Sequence, residues 1–324
     1  MQTRWLEAPH HYESLAVSLR AILACHGLSR PYEEIVAVLG LGMATVAVPD
    51  DELGWWCTYA RDAALLEVAT RYGLQLRELH PPQAAMGLAR SPGYARHFQD
   101  SYLPLIRRAL EHGQRVLTWR GWPPPRERLW GVLVEQAGGM LLGHTLWHRA
   151  SPLPLIGPAH QAYIIEDFAR PTTDWTPAQQ FKTAVHATCS MWRGPWPVDG
   201  GLLTGSAAYD AWCEALAHPP ARPASGRSLG WQHSQAIRVH TAARTALATW
   251  LRSIGGKLGG RDVELAARWA AACDQVVETL ATCETAEDAE ETFRAAGGTC
   301  EVCEALRRAR EIEARVIEQL DPDA

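Results

Sequence analysis

The chain lacks any long uncharged apolar run: Arg, Glu, His or Gly interrupts each candidate before membrane-spanning length. A basic excess is missing as well. With 31 basic and 36 acidic side chains the formal charge is −5, so there is no basic stripe to attract phosphates, and neither nucleic acid nor a membrane is an expected partner. Lysine is almost absent; Lys182 and Lys257 are the two that occur, a bias we read as codon usage in a GC-rich genome. The opening MQTRWLEAPHHYES has no apolar stretch of the signal-peptide kind, and the expected setting is cytoplasmic. Eight cysteines in 324 residues are too few for a disulfide framework, and in a reducing cytosol they should be thiols.

What is present fits a soluble globular protein. The 47% apolar and 21% charged fractions are ordinary for one, and the length allows one large domain or two of usual size. The 14 tryptophans are less ordinary. Indole combines a large apolar body with one N–H, so it fills cores and lines clefts or interfaces.

Composition changes near residue 195, at the breaker-rich segment Arg193-Gly-Pro-Trp-Pro-Val-Asp-Gly-Gly201. Before it, helices alternate with Val/Ile/Leu-rich runs. Ser14–His26 is an amphipathic helix stopped by Gly27, with Leu15, Leu19, Ile22 and Leu23 on one face. Arg30–Leu39 and Asp50–Tyr72 are further helices, and Tyr102–His112 is one that Gly113 ends. Strands are expected at 74–79, 115–119, 130–135, 140–144 and 160–168, with Gly138-Gly139 as a hairpin turn. Thr176 caps a helix whose first residue is Pro177. After the break the pattern is helical throughout, at about 205–217, 228–254, 261–282, 285–296 and 300–320.

A small nucleophile in the first turn of a helix gains from the free N–H groups and dipole there, which favour an anion. If the same domain supplies a histidine from a strand across a cleft, an acyl-transfer site is complete. Ser14 and His160 stand at such positions, with Asp167 as the acid of the set. His11, Trp56, Trp130 and His144 are the residues placed to line the cleft. The competing reading makes Ser14 a helix cap, a role serine fills often, with His144 and His160 as strand-end residues.

The run Tyr12-Glu-Ser-Leu-Ala-Val-Ser-Leu-Arg-Ala-Ile-Leu-Ala-Cys-His-Gly-Leu28 resembles the N-terminal segment of the butirosin-biosynthesis-H-like proteins, and more distantly that of bacteriocin-processing cysteine peptidases. Leu110-Glu-His-Gly-Gln-Arg-Val-Leu117 resembles the helix, glycine and apolar strand that precede their histidine strand, and the C-terminal helices resemble their helical extension. The resemblance implies an α+β fold: a papain-like domain over 1–195, then an all-α helical domain over 196–324. It also implies acyl transfer or amide hydrolysis in bacterial secondary metabolism, on a small-molecule or acyl-carrier-protein-bound substrate, with no cofactor. Whether the site is active is left open, as is self-association. The alternative is a catalytically degenerate member that binds a ligand or partner through its Trp-rich cleft.

This chain departs from that pattern at the positions that matter. Serine replaces the family cysteine at Ser14, and Ala8 stands where a glutamine often helps to hold the oxyanion. The histidine has two candidate locations. If Gly138-Gly139 is the family hairpin, the histidine belongs near Arg128–Trp130, where there is none, and His144 falls on the return strand. If the strand is His160–Phe168, His160 is in place, but Asp167 and Asp174 are imperfect partners.

Other motifs read as structural. Cys300-Glu-Val-Cys303 lacks the second ligand pair of a zinc site and the preceding strand of a redox motif. Cys25 and His26 point about 100° apart on a helix and cannot form a dyad. Asp50-Asp51-Glu52 is an acidic first helical turn, and of the pair Trp55-Trp56 one side chain should face its core.

Overall fold

The computed structural model describes residues 11–47, 62–79, 93–146, 151–171, 175–194, 203–218, 229–283 and 298–321. The fold is mixed α and β, in two compact units. The first holds the described residues up to 35 and those from 62 to 171; the second holds 36–47 and all from 175 onward. Among the described residues no helix is long and apolar enough to cross a membrane.

The first unit is built on α1 (Ser14–Cys25) and a six-stranded sheet. Leu15, Leu19, Ile22 and Leu23 of α1 are fully buried, as the periodicity predicts, but the helix is buried round nearly its whole circumference. It ends in a Schellman motif. Leu28 N–H bonds Leu23 C=O and Gly27 N–H bonds Ala24 C=O, while Gly27 takes φ +75°, a conformation that costs glycine no Cβ clash. α2 (Tyr32–Val38) and α3 (Asp62–Arg71) follow, and the ends of α3 and of the next long helix also turn at Gly73 and Gly113.

The strands are β2 (Leu74–Glu78), β3 (Arg115–Trp119), β4 (Trp130–Ala137), β5 (Met140–Thr145), β6 (Leu153–Pro154) and β7 (Gln161–Phe168), in the order β2-β7-β3-β4-β5-β6, all antiparallel. The β4–β5 hairpin turns at Gly138-Gly139, both at positive φ. Between β2 and β3 the chain makes α4 (Tyr94–His97), a π-helical turn (Phe98–Tyr102) and α5 (Leu103–Glu111). Tyr94, Phe98, Tyr102, Ile106 and Leu110 cover one sheet face, against Val116, Leu133, Ala162 and Ile164. Alternation turns Leu117, Val132 and Tyr163 to the opposite face, where α1 packs on β3 and β4. Trp122 lies flat on the α5 side, over Gly131. A Cβ there would come within 2.4 Å of the indole, so only glycine lets the ring down onto the sheet.

The second unit contains β1 (Val46–Ala47), α6 (Pro177–Arg193), β8 (Leu203–Thr204), α7 (Gly205–Ala217), α8 (Leu229–Gly255), α9 (Arg261–Ala281) and α10 (Gly298–Leu320). Thr176 and Gln179 form a reciprocal capping box at the start of α6, as the Thr-Pro start predicts. Two expectations need correction. β1 and β8 pair as a two-stranded antiparallel ladder, so this unit is not purely helical. The division also does not follow the compositional break at 195, because 36–47 and α6 pack with the C-terminal helices. The cause is tertiary. Gly40 lies against the Ala187 backbone, Trp269 Nε1–H donates to Met43 sulfur at 2.8 Å, and Arg244 reaches the Ala44 carbonyl. The expected helix 285–296 lies outside the described residues.

The centre of this unit is polar. Arg244 and Glu313, both about 1% exposed, form a two-pronged ion pair at 2.7 and 3.2 Å. Arg244 also donates to Thr45 Oγ1 at 2.9 Å and to the Ala44 carbonyl at 3.2 Å, and Tyr209 O–H donates to Glu313 at 3.0 Å. Burial alone disfavours the guanidinium charge, but Glu313 more than offsets it and holds Arg244 charged. Removing one partner of such a pair strands the other. Arg244→Met should therefore lower unfolding free energy by about 3–5 kcal/mol in urea titrations, and an effect within about 0.5 kcal/mol would deny the pair this role.

His233 and His240 are buried beside it. Desolvation pulls His233 down to about 4 and His240 well below the usual imidazole value. The unfolded chain takes up these protons near pH 6.5, whereas the folded chain resists. Stability should therefore be intact above about pH 6.5 and fall as pH drops toward 4, by up to about 1.4 kcal/mol per pH unit for each histidine. Denaturant titrations at pH 7 and pH 5 on wild type and His233→Gln check this; an unchanged acid slope in the variant would remove His233 from the account.

Candidate functional site

Ser14 is the first residue of α1, and Glu13 takes the N-cap position without a side-chain capping bond. The competing sequence reading, Ser14 as the cap, is thus also displaced by one residue. The Ser14 hydroxyl is buried, 5% exposed for the residue, and its oxygen accepts the backbone N–H of Trp130 at 3.0 Å. Trp130 opens β4, so this bond ties the start of the helix to the start of a central strand across 116 residues of sequence. Around it, the Glu13 backbone N–H donates to the Tyr32 phenol oxygen at 3.0 Å, and His11 stacks on the Tyr32 ring at 3.9 Å. Burial raises the Tyr32 phenol far above its usual value, with the Glu13 charge adding to the effect, so the ring is neutral. Trp130, 1% exposed, stacks between Trp119 and Tyr163 at 6.3 and 6.2 Å.

The ladder fixes where His160 stands. Arg120 N–H bonds the Leu129 carbonyl, so the adjacent pair Trp119–Trp130 turns its backbone groups outward. Those of Trp130 face the β5 side: the N–H meets Ser14, and the carbonyl accepts Thr145 Oγ1–H at 2.6 Å. The Trp119 carbonyl faces the β7 side and accepts His160 N–H at 2.9 Å. Ser14 and His160 consequently flank the β3–β4 pair from opposite sides. Two strand spacings are about 10 Å, and Ser14 Oγ lies beyond β4, so about 12 Å separates it from the His160 backbone. Alternation also sets the His160 side chain with Ala162 and Tyr94, on the face opposite α1.

The expected Ser14–His160–Asp167 triad is therefore not assembled. His160 cannot take a proton from Ser14 across two strands. Asp167 lies seven residues further along the same chain segment, about 23 Å at strand rise, where it pairs in register with Gln75 and accepts the Phe168 N–H. Of the expected cleft residues, Trp130 and His11 do gather at the N-terminus of α1, both buried. His144, half-buried, pairs with Val132 two residues along β4. Trp56 lies outside the described residues.

His160 instead belongs to a second aromatic group. Half-buried, it meets Tyr94 and Trp119 edge-on at 5.7 and 5.8 Å. The Arg120 guanidinium sits over the Trp119 ring at 4.7 Å, within cation–π range. Arg120 adopts φ +69°, the one described non-glycine residue at positive φ, and such backbone is disfavoured for a residue with a Cβ. Tyr94 O–H donates to the Ala159 carbonyl, anchoring the segment that carries the histidine. Tyr94 and Trp119 are each 2% exposed, so the groups of this cluster that reach the surface are Arg120 and His160, which can recognise an anionic group. Tyr94, Trp119 and Arg120 went unnoticed in the sequence, although the run Trp119-Arg-Gly-Trp122 was a visible signal.

Among the described residues no group of three or more His, Cys, Asp or Glu side chains is arranged to hold a metal ion. Comparison with family models and with curated proteins finds no match for this sequence.

The Ser14 geometry predicts a structural phenotype. Ser14→Ala leaves the buried Trp130 N–H without its acceptor, which should lower stability by about 1–3 kcal/mol. Chemical denaturation checks it; an unchanged midpoint would show that the hydroxyl contributes nothing to holding α1 on the sheet.

Proposed function

We propose that this protein is a catalytically silent, papain-like module that binds a ligand through the aromatic group around His160. What carries the reading is the Ser14 oxygen: it is occupied by the Trp130 N–H and stands on the far side of two strands from His160, the base the sequence pairs with it. A serine hydroxyl needs such a base within hydrogen-bond reach to act as a nucleophile. The papain-like half of the proposal is supported by order and packing. A buried helix opens on a hydroxyl residue, helices follow, and the helix packs on an antiparallel sheet whose fourth strand begins beside that residue. At the strand start where the resemblance calls for histidine, this chain has Trp130, which supports degeneration of the site.

The ligand class follows from the residues. Arg120 and His160 are the partly exposed donor groups, with Trp119 and Tyr94 buried behind them, so the fitting ligand is a metabolite bearing a carboxylate or thioester carbonyl. Thermal-shift measurements with acyl thioesters and carboxylate metabolites should show stabilisation that His160→Ala reduces, with no product released. Intact-protein mass spectrometry after thioester exposure should show no acyl adduct. An adduct that Ser14→Ala abolishes would overturn the proposal and restore the acyl-transferring enzyme.

A further inference from the structure

In the second unit α7 and α10 run antiparallel, and three contacts fix their register. Tyr209 bonds Glu313, Asp210 pairs with Arg310, and further along Cys213 faces Cys303. The last contact is reciprocal: Cys213 Sγ lies 3.8 Å from the Cys303 carbonyl oxygen, and Cys303 Sγ lies 3.7 Å from that of Cys213. Each Cβ–S bond is thus directed at the other residue's backbone, and both sulfurs enter the same gap between the helices. Both residues are buried, with free thiols.

We propose that Cys213 and Cys303 are a redox pair, which a low-molecular-weight disulfide converts to a covalent staple between α7 and α10. The first thiol of the pair to ionise attacks the small disulfide, giving a mixed disulfide and releasing one small thiolate. The second protein thiolate then attacks that protein sulfur, forming the Cys213–Cys303 bond and expelling the other small thiolate. Two protein sulfurs are oxidised, the small disulfide is reduced to two thiols, and the two protein protons end on them.

The chemistry of the site sets its behaviour. Burial pushes the Cys213 thiol up to about 12, with the neighbouring Cys303 adding to the effect, so little thiolate exists at neutral pH. The pair is accordingly stable as thiols until an oxidant persists. Cys283 also has its thiol raised, by burial and then by nearby Cys303, but its sulfur is directed to Thr279 and Thr282 of its own helix end rather than to the Cys303 backbone. It is a built-in control. Once formed, the bond closes a loop of 90 residues of sequence separation that includes α8 and α9, and a loop that long restricts the unfolded chain strongly.

The full chain incubated with excess oxidised glutathione should lose 2 Da, yield a tryptic peptide joining Cys213 to Cys303, and gain about 5 °C or more in melting temperature, all reversed by dithiothreitol. Cys213→Ser and Cys303→Ser should each abolish the joined peptide and the gain, while Cys283→Ser keeps both. Peptide mapping of wild-type protein needs no variant to fold. Thiols that stay reduced, stable glutathione adducts, or a bond to Cys283 instead would each overturn the pairing.

Discussion

A charged guanidinium in the middle of a helical unit constrains everything packed around it. Arg244 has to be met at every donor, and it is met by groups from several parts of the chain: Glu313 from α10, Thr45 and the Ala44 carbonyl from the segment before β1. Tyr209 from α7 completes the Glu313 shell. An apolar core tolerates small slips, because its contacts are non-directional and exchangeable. This core does not. Shifting any one element leaves a buried charge or donor unpaired, and the desolvation penalty of that group makes the slip expensive. The pair need not add net stability over an apolar replacement to do this; its effect is to select one arrangement.

The first unit uses a weaker device for the same end. A neutral hydrogen bond from Trp130 to Ser14 seats the start of α1 against the start of β4. Because Trp119 and Trp130 form a pair that turns its backbone groups outward, one register decides two things together. It gives Trp130 a donor with no β3 partner, and it sends the histidine strand to the far side of β3. The bond that makes Ser14 structural and the distance that makes His160 unusable to it are consequences of a single ladder. A one-residue slip would undo both, but it would also turn Leu117 and Val132 away from α1. The hydrophobic alternation therefore protects this register.

How much was legible in the sequence follows from the range of each signal. Local chemistry read well: the Gly27 and Gly113 helix ends, the Gly138-Gly139 hairpin, and the Thr176-Pro177 start are decided by a few adjacent residues, and each is observed where the pattern puts it. Long-range chemistry did not. Nothing near residue 44 announces that its carbonyl meets Arg244, 200 positions on, so the segment 36–47 was read with its sequence neighbours. The two-residue strands β1 and β8 are too short to show alternation at all. At the candidate site, the residue types were visible, but their grouping was not. Ser14, Trp130 and His11 do converge, whereas His160 and Asp167 belong to one strand whose order in the sheet no local pattern encodes.

The sheet order also gives the serine at the head of α1 a structural task. A buried strand-end N–H needs an acceptor, and the options at a helix start are a hydroxyl, a carbonyl or water. Cysteine is a weak acceptor, so serine is the better partner for Trp130. A cysteine there would instead be a group able to ionise at the helix end, where the dipole favours an anion. Serine at this position thus ties helix to sheet more firmly than cysteine would. Trp119 stacks on Trp130 and also meets His160 edge-on, so one ring joins the Ser14 site to the histidine. Arg120 is held over that ring at a positive φ, which costs energy in a residue bearing a Cβ. Strain of this kind persists where the surrounding structure holds it, and here the surroundings are the tryptophan beneath the guanidinium and the histidine that meets that ring edge-on.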